Sequence, residues 1–288
     1  MTTLIVGCGY LGRRVARLLS GRGEVVLGTT RSASRQAELA DWGARAVVAD
    51  VLDPGSLRDL PSADRVLYCV GLDRAAGVPM RTVYVDGLRN VLQALDGKAG
   101  RFVYASATSV YGRNDGGWVD EDSPTEPATA SGRACLEAET LAREWAGTRR
   151  FELSIVRYSG LYGPGRVIRR DALKRGEPIA GDPEKYLNLI HIDDAASAAL
   201  AALDRGQHER VYLASDDRPV PRREYYELAA RLLGAPDPRF APPGPGSAAA
   251  PREEADRRVS NRRIKEELGL AWAYPDITTG LPATFAIV

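Results

Sequence analysis

The chain has 288 residues, 44% of them hydrophobic, enough for one large core or for a core domain with a smaller lobe. Its 39 basic and 38 acidic residues leave a net charge of +1, with no basic stripe to meet nucleic acid and no acidic tail. No apolar run approaches the ~18 residues that span a membrane, and Met1-Thr2-Thr3 leads straight into an apolar segment rather than a leader. Cys8, Cys69 and Cys135 have no metal-ligand spacing, so reduced structural thiols in the cytoplasm are expected.

Residues 4–6 read as a strand, and residues 12–19 continue at helical period. Between them stands Gly7-Cys8-Gly9-Tyr10-Leu11-Gly12. A G-x-G-x-x-G turn between strand and helix is a dinucleotide-binding pattern with a separate reason for each glycine. Gly7 permits the tight turn, Gly9 lets the backbone approach a pyrophosphate, and Gly12 lets helix and strand pack closely. The pyrophosphate would rest on the N–H groups and positive dipole end of the helix.

Residues 25–27 read as a second strand, 34–42 as a helix, and 45–49 as a third strand ending at Asp50. A fourth strand is expected over 65–70, a long helix over 83–95 and a fifth strand over 101–106. Residues 132–145 form a helix with an apolar stripe of Ala134, Ala138, Leu141, Ala142 and Trp145, and 153–158 a sixth strand. Strands alternating with helices imply right-handed crossovers and a parallel sheet, a Rossmann-type doubly wound α/β fold. The strands are apolar without polar alternation, as expected where both faces are covered.

After about residue 158 the pattern becomes irregular. Residues 160–165 are a Gly/Pro-rich loop, 222–233 an amphipathic helix ended by Gly234, and 235–251 a Pro/Gly/Ala-rich surface loop. A short helix over 260–268 has Ser260 or Asn261 as its N-cap. The division predicts a dinucleotide-binding domain over 1–158. A smaller substrate lobe over 159–288, too irregular for a large core of its own, would interleave partly with it.

The end of the second strand bears on cofactor choice. An NAD-selective site wants an acid there, about 20 residues past the turn, for the ribose hydroxyls. The chain reads Gly28-Thr29-Thr30-Arg31-Ser32, with no acidic residue between Glu24 and Glu38. Arg31, assisted by Ser32 and Arg35, can clamp a 2′-phosphate, so NADP(H) is expected in preference to NAD(H).

Further motifs follow in order. They are Ala49-Asp50-Val51, Val85-Asp86-Gly87-Leu88-Arg89-Asn90-Val91 and Tyr104-Ala105-Ser106-Ala107-Thr108-Ser109-Val110-Tyr111-Gly112. The run Arg157-Tyr158-Ser159-Gly160-Leu161-Tyr162-Gly163-Pro164-Gly165-Arg166 and then Ile190-His191-Ile192-Asp193-Asp194-Ala195-Ala196 complete the set. With the first turn, they make the chain resemble the extended short-chain dehydrogenase/reductase superfamily, and more narrowly its NAD-dependent epimerase/dehydratase family, over essentially its whole length. The resemblance implies cofactor contacts at matching positions. Gly7, Gly9, Tyr10, Leu11 and Gly12 would cover the pyrophosphate, and Asp50 and Val51 would flank the adenine. Val70 and Gly71 would lie under the adenosine ribose, with Ser106 and Tyr158 near the nicotinamide. It also implies a small-molecule substrate and a homodimer paired through the helices 83–95 and 132–145.

The family's proton-transfer pair, a Tyr with a Lys four residues later, is absent. Between Arg113 and Arg157 there is no tyrosine and no lysine, and the only lysines are Lys98, Lys174, Lys185 and Lys265. Alignment on Glu139 puts Ser131 at the Tyr position and Cys135 at the Lys position, and alignment on Val110-Tyr111-Gly112 puts Ala107 at the usual hydroxyl. Ser106, Thr108 and Ser109 are left as adjacent hydroxyls, either touching substrate or satisfying backbone groups at a strand end. Tyr111, Tyr162 and Tyr186 are candidate acids. Cys135 reads as a small apolar filler and His191 as a structural histidine. Arg157, Arg166 and Arg169 are available to a charged substrate. Two functions are compatible with this set. One is an NADP-dependent oxidoreductase, epimerase or dehydratase acting on a small polar substrate such as a nucleotide-sugar or carbonyl compound. The other is a non-catalytic NADP(H)-binding sensor or scaffold.

Overall fold

Strand and helix alternate through the first part of the chain. In order they are β1 (Thr2–Val6), α1 (Tyr10–Ser20), β2 (Val25–Thr30), α2 (Gln36–Asp41), β3 (Arg45–Val48), β4 (Ala63–Tyr68), α3 (Gly87–Ala94), β5 (Ala99–Ala107), β6 (Asn114–Val119), α4 (Ala130–Thr148) and β7 (Glu152–Tyr158). Shorter pieces follow: β8 (Gly160–Tyr162), α5 (Arg170–Lys174), β9 (Ile179–Ala180), β10 (Tyr186–Leu187), β11 (Leu189–His191), α6 (Ile192–Arg205) and β12 (Arg210–Ala214). The last are β13 (Val220–Pro221), α7 (Arg222–Leu233), β14 (Phe240–Ala241), β15 (Asp256–Val259), α8 (Arg262–Leu268) and α9 (Ile277–Ala286). The structure is a computed structural model and describes residues 1–148, 151–242 and 255–286.

A seven-stranded sheet has the order β12-β7-β5-β4-β1-β2-β3. β1 runs parallel to both β2 and β4, β2 to β3, and β4 to β5. The strand order reverses at β1, which makes the carboxyl ends of β1 and β4 the topological switch point, where open α/β sheets bind ligands. The apolar runs read from sequence are most complete on β1, β4 and β7, which are buried nearly throughout, whereas the edge strand β3 is exposed or half-buried. Leu4, Val66, Phe102 and Ile155, from four neighbouring strands, share one cluster with Leu88 and Val91 of α3 and Ala138 and Ala142 of α4.

Contacts divide the chain into two compact units. The first is 1–107, 130–157 and 196–212, and the second 108–129, 158–195 and 213–288. Relative to the expected division at residue 158 with partial interleaving, 108–129 groups with the later residues and 196–212 with the earlier ones. The second unit has a core of its own, which the irregular sequence pattern concealed. Tyr162, Leu173, Ile179, Leu189, Val220, Tyr225, Ile277 and Leu281 are buried together there. Its apolar residues come from short pieces far apart in sequence, so no window carries a clear period.

Several elements depart from expectation. The long helix over 83–95 opens with a π-helical turn, Thr82–Asp86, before α3. The helix expected over 34–42 is a 3-10 turn, Ala33–Arg35, followed by α2. α6, α9 and the short strand β6 were not read from the sequence; α6 is nearly all Ala, Ile, Leu and Asp, without a polar face to mark its period. The N-cap of α8 is Asn261, whose amide donates to the carbonyls of Ser215 and Asp216 rather than capping the helix. Of the loop expected over 235–251, residues 243–251 lie outside the described residues.

Candidate functional site

The glycine turn closes the carboxyl end of β1. Gly7 has φ +89°, and a Cβ there would sit 2.7 Å from the Val70 Cα. A Cβ on Gly12 would sit 2.9 Å from Ile5 Cγ2. These two glycines are thus required for the approach of β1 to the chain after β4 and to α1. The Gly7 N–H donates to Thr29 Oγ1 at 2.9 Å, and the Gly9 N–H to the Gly7 carbonyl at 2.7 Å. Gly9 and Gly71 instead face open space, with no atom nearer than 3.9 Å to a Cβ on Gly9 and none within 4 Å of one on Gly71. α1 begins at Gly9 with no side-chain cap and no acid in its first turn, so its N–H groups and positive end are open to an anion. This cradle of bare glycine backbone and uncapped helix fits a dinucleotide pyrophosphate.

Other residues implied by the resemblance play local roles. The Leu11 side chain is core, and Tyr10 carries the Arg14 guanidinium 4.6 Å over its ring. Asp50 Oδ1 accepts the Leu52 N–H at 2.9 Å, an Asx turn that ends β3. The Val51 side chain fills the space beside Gly87, and its carbonyl accepts Asn90 Nδ2 at 2.9 Å.

Charged groups gather past β2. Arg31 is exposed and its Nη2 donates to Asp73 at 2.8 Å, while the Ser32 and Ser34 hydroxyls lie 2.6 Å apart. Arg35 binds Glu38, which also accepts from Arg13 on α1. Arg13, Arg14 and Arg17 converge on the Trp42 ring at 5.2, 5.9 and 4.3 Å. Arg13, Glu38 and Trp42 were not singled out from the sequence. The signal was the position of Arg13 directly after Gly12, in the first turn of the helix. Burial raises the Cys8 thiol to about 11, opposed by Arg13 and Arg35, and burial raises Cys69 as well. Both are inert structural thiols at neutral pH.

On α4 the positions of the family's Tyr and Lys hold Ser131 and Cys135. One turn further, Glu139 organises a buried network. Ser106 Oγ donates to Glu139 Oε1 at 2.6 Å, and Arg157 donates Nε to Oε1 at 2.9 Å and Nη2 to Oε2 at 2.6 Å. The Arg157 and Glu139 side chains are 5% and 2% exposed. Arg157 is therefore an internal counter-ion, which corrects its assignment to substrate charge, and the Ser106 proton is committed to a carboxylate. The π turn packs against α4 and carries Tyr84, a half-buried phenol near Tyr68 and Tyr104. π turns inside helices recur at functional sites.

Thr108, Tyr111, Tyr158 and Tyr162 belong to the second unit, and Ser106 with the cofactor-contact candidates other than Tyr158 to the first. Tyr111 is 1% and Tyr162 0% exposed. The Tyr162 phenol lies 3.5 Å from the Asp276 carbonyl and occupies the space a Gly280 Cβ would need. Burial first, then Asp216 and Asp194, push its pKa upward, so it is a poor acid, and its hydroxyl donates to the Asp276 carbonyl. The Thr108 carbonyl accepts both the Tyr111 N–H at 3.2 Å and Arg257 Nη2 at 3.1 Å. His191 is buried, stacks 3.9 Å from Tyr274, and accepts the Asp193 N–H at Nδ1, a structural histidine.

Among the described residues no helix is long and apolar enough to cross a membrane, and no group of three or more His, Cys, Asp or Glu could hold a metal ion. Protein YeeZ of Escherichia coli K12 is 31% identical over 94% of this chain and 96% of its own. The 3-diazoavenalumate denitrifying reductase of a Streptomyces species is 30% identical over 98% of this chain and 99% of its own. A functionally unknown conserved protein from Silicibacter pomeroyi has a solved structure that superposes with a TM-score of 0.80 at 31% identity, covering 99% of this chain and 98% of that one. Residues 3–214 match the NAD dependent epimerase/dehydratase family, and the chain belongs to that family.

Proposed function

We propose that this protein is an NADP(H)-dependent oxidoreductase that reduces a small polar substrate without the Tyr/Lys pair of its relatives. The observation that carries the reading is α4, where Ser131 and Cys135 stand in place of that pair and the buried carboxylate of the same helix, Glu139, is consumed by Arg157 and Ser106. Epimerisation and dehydration both need a base at a carbinol or an adjacent carbon, and α4 carries neither the tyrosine nor the lysine that would supply it there. When bound, the nicotinamide supplies a hydride. Reduction of an electron-poor carbon then asks the chain only to bind and orient. The relative named as a reductase, matched over nearly its full length, supports reduction over the other two chemistries. A carbonyl compound or a nucleotide-sugar is the proposed substrate class.

Gly7 to Gly12 and the open end of α1 would hold the pyrophosphate, Gly71 would lie under the ribose, and Arg31 with Ser32 would meet the 2′-phosphate. Tyr84 is the proposed proton donor where the product needs one, in place of the buried Tyr111 and Tyr162. Titration calorimetry with NADPH and NADH tests the preference. NADPH is expected to bind at least roughly tenfold more tightly, and Arg31→Ala to lose most of that margin. Equal affinities, or an unchanged Arg31→Ala, would overturn it. The buried hydroxyls also favour a second reading, a cofactor-binding sensor. Oxidation of NADPH with any member of an aldehyde, ketone and nucleotide-sugar panel decides against the sensor.

A further inference from the structure

α2 and the turn before it place one carboxylate between two guanidinium groups. Glu38 Oε1 accepts from Arg13 Nη1 at 2.6 Å, and Glu38 Oε2 accepts from Arg35 Nε at 2.8 Å. Arg35 Nη2 adds a longer bond to Oε1 at 3.3 Å. Arg13 is also seated 5.2 Å over the Trp42 ring, and its Nε is buried with no acceptor. Arg13 lies in the first turn of α1 after the glycine turn, Arg35 and Glu38 lie at the start of α2 after β2, and the two segments meet where the Cys8 N–H donates to the Thr29 carbonyl at 3.4 Å. That is where the adenosine 2′ substituent of a bound dinucleotide lies in this fold.

A compact oxyanion gripped by two guanidinium groups, with an unused N–H beside it, has the chemistry of a phosphomonoester site. We propose that Glu38 is an internal stand-in for the 2′-phosphate of NADP(H), holding Arg13 and Arg35 until a phosphomonoester takes both partners. The inference rests on the preference for NADP(H) proposed above. The exchange is easy because the ion pairs are exposed: the Glu38 side chain is 37% exposed, and such pairs contribute little. A phosphomonoester brings more charge and three acceptor oxygens. Trp42 keeps Arg13 in place while the carboxylate swings out. Glu38 nonetheless competes for both arginines and repels the incoming phosphate, so it sets how strongly the phosphorylated cofactor is preferred.

Calorimetric titration of the full chain with NADPH and with NADH, on wild type, Glu38→Gln, Arg13→Ala and the double variant, tests this. Glu38→Gln is expected to bind NADPH roughly tenfold more tightly at low salt, with NADH unchanged, because removing one unit charge a few ångströms away is worth about that factor. The gain should shrink in high salt and vanish in the double variant. Glu38→Asp keeps the charge and is expected to show no such gain, which guards against a misfolded Gln variant. A Glu38→Gln protein with no gain for NADPH, or with an equal gain for NADH, overturns the proposal. A wild type that prefers NADH removes the earlier reading. The stand-in role survives that result if Glu38→Gln still gains affinity for NADPH alone, and falls if it does not.

Discussion

Asp216 and Glu139 are both buried acids of the same ordinary chemistry, and their neighbours give them opposite fates. Glu139 is matched by the Arg157 fork and the Ser106 hydroxyl, so both of its oxygens have buried partners. Asp216 is 2% exposed, and among the described residues no side chain donates to its carboxylate oxygens. Burial above all, then the charges of Asp276 and Asp217, raises its pKa well above the ordinary range, with Arg218 opposing. Below the unfolded value of about 3.9 both states carry the proton and nothing is lost. As the pH rises from there, the unfolded chain ionises while the folded chain keeps its proton, so stability falls until the folded pKa is passed. Asp216→Asn removes this loss. It is expected to be more stable than wild type by roughly 1–3 kcal/mol at pH 7 and equal to it near pH 4. Urea unfolding at the two pH values checks this, and a variant destabilised at pH 7 would show that the carboxylate is charged and paired.

At the scale of elements, β1, the glycine turn and α1 act as one unit, and the glycines divide between fold and binding. Gly7 combines φ +89° with a Cβ clash at Val70, so Gly7→Ala is expected to cost roughly 1–3 kcal/mol. A Cβ on Gly9 meets nothing closer than 3.9 Å, so Gly9→Ala is expected to lose cofactor affinity far more than stability. Thermal melts beside NADPH titrations separate the two. A Gly9→Ala protein that binds NADPH as wild type does would show that the pyrophosphate does not approach there. The π turn before α3 is the element that the helical pattern could not announce: its apolar positions, Val83 and Val85, are buried two residues apart, a spacing that a regular helix face does not show.

At the scale of the molecule, the chain passes between its two units at residues 107, 129, 157, 195 and 212, and each unit closes a hydrophobic cluster of its own. Arg89, Gln93, Arg133, Thr140 and Glu144 are on the outward faces of α3 and α4, with none of the large exposed apolar side chains. A homodimer paired through these helices is accordingly proposed as a polar contact. Light scattering at micromolar concentration is expected to show a dimer that dissociates in high salt, since exposed charge pairs are screened there. A monomer at both ionic strengths removes the pairing, and a dimer indifferent to salt requires another face.

The sequence by itself determined the alternation of strand and helix, the glycine turn and the loss of the Tyr/Lys pair, because each is a local pattern written in consecutive residues. Gly7-Cys8-Gly9-Tyr10-Leu11-Gly12 between an apolar strand and an amphipathic helix is a recognisable strand-turn-helix pattern, and a helix without tyrosine or lysine cannot present either. Only the tertiary structure decided which charged and hydroxyl groups are free to act. Arg157 meets Glu139 across 18 residues, Arg13 meets Glu38 across 25, and Tyr162 is enclosed by residues more than a hundred positions away. A guanidinium or a phenol reads the same in sequence whether it faces solvent or a buried carboxylate. Its role is fixed by the partner that folding brings to it, and that partner lies outside any local window.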